Sequence, residues 1–433
     1  MVMDLFSTPI VGNSFGSGEA DVARSILLGC TLENALRTPF YRDRWGRAPT
    51  IADFETLPII DKAELMSAGS AAQIRDTGRF GEKFTSGTSG KPFVNIVGER
   101  ELQALAALHR KMHVRYRRRA APRGICFKDT HVAFARSIPS PIRFHNLSIY
   151  GKGTFDFALD MIENSVEERG VEPDCSILVA GDRILRAFTA FAQQRRGGKV
   201  RSNLRHVITY SNYLTRRSRD WYAEVWGVQV TDRYGLSEVV GGATQEAADG
   251  WYHFDPVVIP EVVGNRSRSP MREGIGILVL TTLFPFQECQ PLVRYWTGDV
   301  VEVTHSRSLR PGQLAIRPLG RIQDGVPAPE GDDWLITPDK IFAALDDCDV
   351  IERDPLFRDS PNVGDPHWCG LPRFRVDVSR SAPTGPTIVN LSFSVHDPLA
   401  ANKILNAIVM ELPEPSARNR MDIIVQHANL TVD

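Results

Sequence analysis

The chain has 433 residues, 42% of them hydrophobic and 24% charged, a balance that excludes disordered, collagen-like and disulfide-dense proteins and a length that implies two or three structural units. Lys and Arg total 51 against 52 for Asp and Glu, so the formal charge is −1 and there is no global field to hold nucleic acid or an anionic membrane. The six cysteines (Cys30, Cys126, Cys175, Cys289, Cys348 and Cys369) are scattered without a CxxC pair, and no signal-like segment or long apolar run occurs, so reduced thiols and a cytoplasmic location without export or membrane span are expected.

From the N-terminus, residues 20–37 carry apolar positions at helical spacing and stop before Thr38-Pro39, which predicts a helix leading into the extended PFYRDRW. LPIIDKAEL (57–65) predicts a second helix with Asp61 at its cap and Glu64 three residues on; both segments read as scaffold. GEKFTSGTSGKPFVNIVGER (81–100) is a Gly/Ser/Thr cluster between extended apolar stretches, followed by a long helix over 101–119. Strands are predicted at 125–127, 131–135, 176–180, 206–210, 228–234 and 276–283, with helices at 156–168, 183–196 and 216–227. That alternation argues for an α/β fold with largely parallel sheets. From 271 the texture turns β-rich, predicting an antiparallel subdomain or barrel. Beyond VPAPEGDD (326–333) come a helix (338–346), strands FRVDV and TIVNLSFSV, a helix (398–411) and IIVQ. The expected organisation is a large N-terminal α/β domain with a β-rich subdomain, residues 1–324, and a small mobile α+β C-terminal domain, residues 325–433.

Three stretches carry chemistry. In Thr85-Ser86-Gly87-Thr88-Ser89-Gly90-Lys91-Pro92 the glycines let backbone approach a ligand, the hydroxyls offer rotatable donors and Lys91 a point charge, a set suited to a polyphosphate. The spacing is not that of a Walker loop, and a plain Ser/Gly turn is the structural alternative. Asp232-Arg233-Tyr234-Gly235-Leu236-Ser237-Glu238 closes an apolar strand where Tyr234 can stack on a base, Ser237 bond a phosphate and Glu238 hold Mg²⁺; the alternative is a common YG turn with a solvated Glu238. Arg294-Tyr295-Trp296-Thr297-Gly298-Asp299 is followed by Gly320-Arg321-Ile322-Gln323-Asp324. Asp299 can accept both hydroxyls of a ribose and Arg321 can bind ribose or phosphate, against the alternative of a tight turn with a surface ion pair. The basic run from Arg110 to Arg119 reads as a solvated helix face.

Taken in order, TSGTSGKP, YGLSE, YWTGD and GRIQD resemble the sequential signatures of the adenylate-forming superfamily, which includes acyl-CoA synthetases, firefly luciferase and nonribosomal adenylation domains. TPFYRDRW, LPIIDK and the TTL…PLVRYWTGD phrasing are most similar to its phenylacetate-CoA ligase branch. The resemblance implies that a carboxylate attacks the α-phosphate of ATP, releasing pyrophosphate and leaving an acyl-AMP, chemistry that depends on positioning and charge neutralisation. It implies that Thr85, Ser86, Thr88, Ser89 and Lys91, with Gly87 and Gly90 between them, cradle the β- and γ-phosphates. It further implies that Tyr234, followed by Gly235, packs on adenine, that Asn212 bonds the adenine amine, that Ser237 touches the α-phosphate, that Glu238 takes Mg²⁺, and that Asp299 and Arg321 hold the ribose. Lys91, Ser237 and Glu238 are the implied catalytic set and Gln323-Asp324 the hinge of the tail domain. The implied cofactors are ATP and Mg²⁺, with coenzyme A as one acceptor. The implied partner is a small, aromatic carboxylic acid or aryl substrate, with no nucleic acid and no membrane, and a homodimer is compatible with this branch.

The sequence departs from that pattern in two places. The family's adenylation lysine near the C-terminus has no counterpart: the last lysine is Lys403, inside a predicted helix, and Arg418 and Arg420 offer guanidinium groups that do not replace an ammonium. Upstream of YGLSE, Thr209-Tyr210-Ser211-Asn212-Tyr213 stands where the family places a Gly-Ala-Glu-like turn. Three functions therefore stay open. One is acyl-adenylate formation with transfer to coenzyme A or an amine. Another is a specialised biosynthetic role, forming amides without coenzyme A or activating nitrite for diazotisation. The third is a non-catalytic nucleotide-binding protein.

Overall fold

The computed structural model of the chain describes residues 17–76, 79–84, 94–116, 123–129, 143–163, 175–245, 250–304, 314–380, 387–394 and 421–427. Helices α1 (Ser17–Ala35) and α2 (Pro39–Trp45) open it. The ends of α2 are written in the sequence: Thr38 Oγ1 accepts from Tyr41 N, Pro39 fills the first turn, and Gly46 closes the helix at φ +64°. Helix α3 (Lys62–Ala68) carries the predicted capping box, Glu64 N donating to Asp61 Oδ1 (2.8 Å) and Asp61 N to Glu64 Oε2 (2.9 Å). The hairpin of β1 (Arg79–Phe84) and β2 (Val94–Gly98) leads into α4 (Glu99–Tyr116).

Strands β3 (Arg123–Lys128), β4 (Arg143–Ser148), β5 (Cys175–Gly181), β6 (His206–Tyr210) and β7 (Val230–Tyr234) pair in parallel. The connecting helices α5 (Thr154–Ile162), α6 (Asp182–Arg196) and α7 (Arg216–Trp226) lay Phe155, Phe188, Tyr222 and Trp226 into one core with Phe127, Leu178 and Val207 of the strands. An almost unbroken apolar strand such as β5 is what parallel strands buried on both faces require. β8 (Ala243–Gln245), β9 (Tyr252–Phe254), β10 (Val258–Val263), β11 (Gly274–Thr282), β12 (Tyr295–Thr304) and β13 (Ala315–Arg321) pair antiparallel.

All eleven strands from β3 to β13 form one sheet in the order β10-β11-β12-β13-β9-β8-β7-β6-β5-β3-β4. The β-rich region expected as a separate subdomain or barrel is thus a continuation of the parallel sheet, joined through Tyr234↔Ala243 and Ile316↔Tyr252. Gly242 permits that join, since a Cβ there would lie 2.2 Å from the Tyr234 carbonyl oxygen. Strand β4 has no counterpart among the predicted elements, because RFHNLS lacks a clean apolar run and sits on the sheet edge. The predicted strand 131–135 and helix 398–411 lie outside the described residues.

The C-terminal part contains the hairpin β14 (Val326–Pro327) and β15 (Trp334–Ile336), helix α8 (Pro338–Asp346), and a sheet of β16 (Phe374–Arg380), β17 (Thr387–Phe393) and β18 (Met421–His427). Val326, Ile336, Ile341, Leu345, Val389, Leu391 and Phe393 share its core. The architecture is therefore a large mixed α/β domain with a smaller α+β C-terminal part, as expected. Residues 346–372, however, return to the helical face of the large sheet. Asp346 accepts from Arg186 (3.1 Å), Thr215 (2.8 Å) and Arg353 (2.7 Å). Ser360 Oγ and Asn362 Nδ2 donate to Ile149 O at 2.6 and 2.7 Å, and Cys369 joins the core of Phe155 and Phe188. Burial alone would raise the Asp346 carboxyl, but the guanidinium groups of Arg186 and Arg353 hold it down at about 2. The small domain expected to hang on one hinge has a second attachment. All six cysteines are free, and no described helix is long and apolar enough to cross a membrane.

Candidate functional site

Strand register brings two of the sequence motifs side by side. Asp299 on β12 and Arg321 on β13 are direct cross-strand partners, and Gly298, at φ +72°, supplies the left-handed turn that precedes Asp299. Thr297 fixes the approach, its Oγ1 donating to Leu278 O (2.8 Å) and accepting from Asp299 N (3.0 Å). The Asp299 carboxylate is buried. Its Oδ2 accepts the Tyr234 hydroxyl at 2.6 Å and its Oδ1 pairs with Arg321 Nε at 3.0 Å. Burial raises the Asp299 carboxyl against the pull of Arg321, and burial followed by Asp299 raises the Tyr234 phenol. Tyr234 comes from the end of β7, so the YGLSE, YWTGD and GRIQD blocks meet at one carboxylate. Asp324, in the expected hinge, is pushed up to about 6 by burial.

Glu238 is buried beside this group, and its Oε1 accepts from Lys62 Nζ at 3.1 Å. Its backbone carbonyl accepts from Asn95 Nδ2 (3.1 Å) and Gln287 Nε2 (3.0 Å). The Tyr295 phenol, raised first by burial, lies in the combined field of Glu238, Arg321 and Asp299, which places these charged groups around one ring. Ser237 and Gly235 are exposed in the loop after β7, and Asn212 is half-buried beyond β6. Its neighbour Ser211 takes φ +87°, a region that favours glycine, at the point where the sequence departs from the family pattern. Thr85, Ser86, Gly87, Thr88, Ser89, Gly90 and Lys91 lie outside the described residues, as do Lys403, Arg418 and Arg420.

Two motif residues have structural work instead. Arg233 binds Asp255 (2.5 Å) and Thr244 (2.7 Å), and the buried Arg294 pairs with Glu261 (3.0 Å). Conversely, LPIIDK is more than scaffold: its capping box forms as expected, and Lys62 reaches Glu238. The available signal was scarcity, because the chain holds nine lysines against 42 arginines. A cavity of about 520 Å³ opens next to this segment, walled in part by Ile60, Asp61, Arg268 and Trp296. Among the described residues no cluster of three or more His, Cys, Asp or Glu could hold a metal; Glu238 brings a single carboxylate, paired with Lys62. That donor set suits Mg²⁺, which commonly takes one or two carboxylates and completes its octahedron with phosphates and water.

Asp232, two residues before Tyr234, is buried and accepts the Tyr252 hydroxyl at 2.5 Å; burial pushes its carboxyl up to about 6. The folded state therefore binds a proton more tightly than the unfolded chain, so this contribution to stability is full below about 4 and is lost as pH rises through about 6. Replacing Asp232 by Asn should flatten the dependence of the urea midpoint on pH between about 4 and about 6. An unchanged slope would show that other carboxyls carry it.

No protein-family model matches the chain. A phenylacetate-coenzyme A ligase from Thermus thermophilus is 36% identical over 108 residues, a match that spans 24% of this chain and only 24% of that enzyme. Among solved structures, an open conformation of 2-hydroxyisobutyryl-CoA ligase with 2-HIB-AMP and CoA superposes with a TM-score of 0.63 at 16% identity, covering 97% of this chain and 90% of that one. The same ligase in the postadenylation state with R3-HIB-AMP gives 0.61 at 15% identity, covering 98% and 91%. ATP-bound MatB from Rhodopseudomonas palustris gives 0.50 at 14% identity, covering 79% and 63%. The chain has the fold of these solved structures.

Proposed function

We propose that the chain activates a small carboxylic acid as an acyl-adenylate at the expense of ATP and passes the acyl group to coenzyme A or an amine. The observation that carries this reading is the convergence of Tyr234, Asp299 and Arg321, drawn from three separate motifs, beside the Lys62–Glu238 pair. In this reading Asp299 accepts the ribose hydroxyls once Tyr234 and Arg321 have fixed its orientation. Tyr234 flanks adenine, together with Asn212 and Gly235. Ser237, exposed after β7, meets the α-phosphate, and residues 85–91, with Lys91, receive the β- and γ-phosphates. Glu238 would hold Mg²⁺, which supplies charge neutralisation on the phosphates. Residues 1–324 form the binding domain and 325–433 the lid. The likeness in fold to 2-hydroxyisobutyryl-CoA ligase and to ATP-bound MatB, and the short match to a phenylacetate-coenzyme A ligase, support this assignment, and the latter favours an aromatic acid.

A second reading, amide formation without coenzyme A or activation of nitrite, draws on the absence of any lysine after Lys403. Pyrophosphate release from Mg²⁺ and ATP separates the two. The panel of aryl and aliphatic acids is run with coenzyme A, with hydroxylamine, and with nitrite plus an aryl amine. Acid-dependent release captured by hydroxylamine is the expected result. Release only with nitrite supports the second reading, and ATP binding without release under any condition removes both.

A further inference from the structure

We propose that Asn95 is a positioning residue for the Glu238 carboxylate, an inference that rests on the nucleotide reading above. Asn95 is the second residue of β2, which starts directly after residues 85–93, and its side chain is buried, with the residue 3% exposed. Its amide nitrogen donates to two successive carbonyls of the turn after β7, Ser237 O at 3.2 Å and Glu238 O at 3.1 Å. These two acceptors settle the orientation of the amide, since a flipped Asn95 would set its oxygen against two carbonyl oxygens.

Glu238 O also accepts from Gln287 Nε2 at 3.0 Å, while Gln287 Oε1 accepts from Val240 N at 3.0 Å. Both lone pairs of the Glu238 carbonyl are thereby occupied. The backbone under the carboxylate is held from two sides, and Lys62 closes on the carboxylate itself. A displacement of β2 is consequently transmitted to Glu238 through one side chain. Among the described residues the other end of that side chain, Oδ1, is buried and has no hydrogen-bond partner. A buried acceptor left without a donor is costly, and a water in the shell of a divalent cation held by Glu238 is a donor of the right kind. Asn95 would then act on the cation through Glu238 and through that water, without direct ligation.

The test reads cation binding as thermal stabilisation by ATP, measured with excess Mg²⁺ and with EDTA. The wild-type chain is expected to show a shift with ATP alone and a further increment with Mg²⁺. Asn95→Ala should keep the metal-free shift and require about 10–100-fold more Mg²⁺ to reach the increment, the range for loss of an outer-sphere partner. Asn95→Asp at pH 8 would place a carboxylate against the Ser237 and Glu238 carbonyls and should lose the increment. An unchanged Mg²⁺ requirement in Asn95→Ala, or, where that variant does not fold, a wild-type Mg²⁺ increment in Asn95→Asp, overturns the proposal. A wild-type chain that ATP does not stabilise under either condition overturns the nucleotide reading first, so the two failures are told apart.

Discussion

Asp346→Ala is expected to lower the free energy of the first unfolding transition by about 3–5 kcal/mol, the cost of leaving a buried guanidinium without its counter-charge. The Asp346 side chain is 1% exposed and that of Arg186 9%, so water cannot replace the lost partner. Asp346 also accepts the Thr215 hydroxyl and pairs with Arg353 at 2.7 Å, and each of those groups would lose an acceptor. Urea titration followed by tryptophan fluorescence checks the value, reading the first transition because a chain of this size need not unfold in one step. Removing both charges in Asp346→Leu with Arg186→Leu should cost less than the sum of the single variants. A change within about 0.5 kcal/mol for Asp346→Ala, the range of an ordinary surface substitution, would falsify the account of Asp346 as a buried anchor.

The same anchor constrains how the small domain can move. Rotation about Gln323-Asp324 alone would have to break the Asp346 cluster and the bonds of Ser360 and Asn362 to Ile149, unless residues 346–372 stay behind on the large domain. The low carboxyl value of Asp346 gives the sign of its pH dependence. Its stabilisation is present above the ordinary Asp value of about 3.9 and is lost as pH falls towards about 2. Acid thus loosens the attachment, opposite to the expected behaviour of Asp232.

Much of this was legible from local chemistry. The capping box at Asp61 and Glu64, helix α8 over Pro338–Asp346 and strand β6 over His206–Tyr210 stand where periodicity and caps placed them, because each is decided within a few residues. The fusion of the β-rich region onto the parallel sheet was not legible, since it depends on a single long-range pairing, Ile316 with Tyr252. The motifs named Asp299 and Arg321, while only register could show them as cross-strand neighbours. Asn95, Gln287 and Lys62 were not legible as site residues for the same reason: each meets Glu238 from a distant segment, and no local pattern states such a contact, although Lys62 closes LPIIDK. Asp346 looked like the end of an amphipathic helix, and its partners Arg186 and Thr215 lie more than a hundred residues earlier.

Lys62→Met is expected to slow acid-dependent pyrophosphate release by about 10²–10³-fold while leaving the fold intact, the magnitude seen when one preorganised group that stabilises developing charge is removed. Residues 404–433 hold no lysine, so the pattern that the sequence resembles finds no match there for its adenylation lysine. Lys62, by contrast, sits 3.1 Å from Glu238, with its side chain only 26% exposed, at the start of a helix fixed by its own capping box. An ammonium held there is positioned before ATP arrives, and its effect should fall on kcat more than on the KM for ATP. Lys62→Arg should recover only part of the rate, because a planar fork does not reproduce a point contact with one carboxylate oxygen. Steady-state kinetics on both variants, with circular dichroism as the control for folding, decides the matter. A loss smaller than about threefold, roughly 0.65 kcal/mol of barrier, would make Lys62 a structural counter-ion of Glu238 and move the search for the adenylation cation to Arg418 and Arg420.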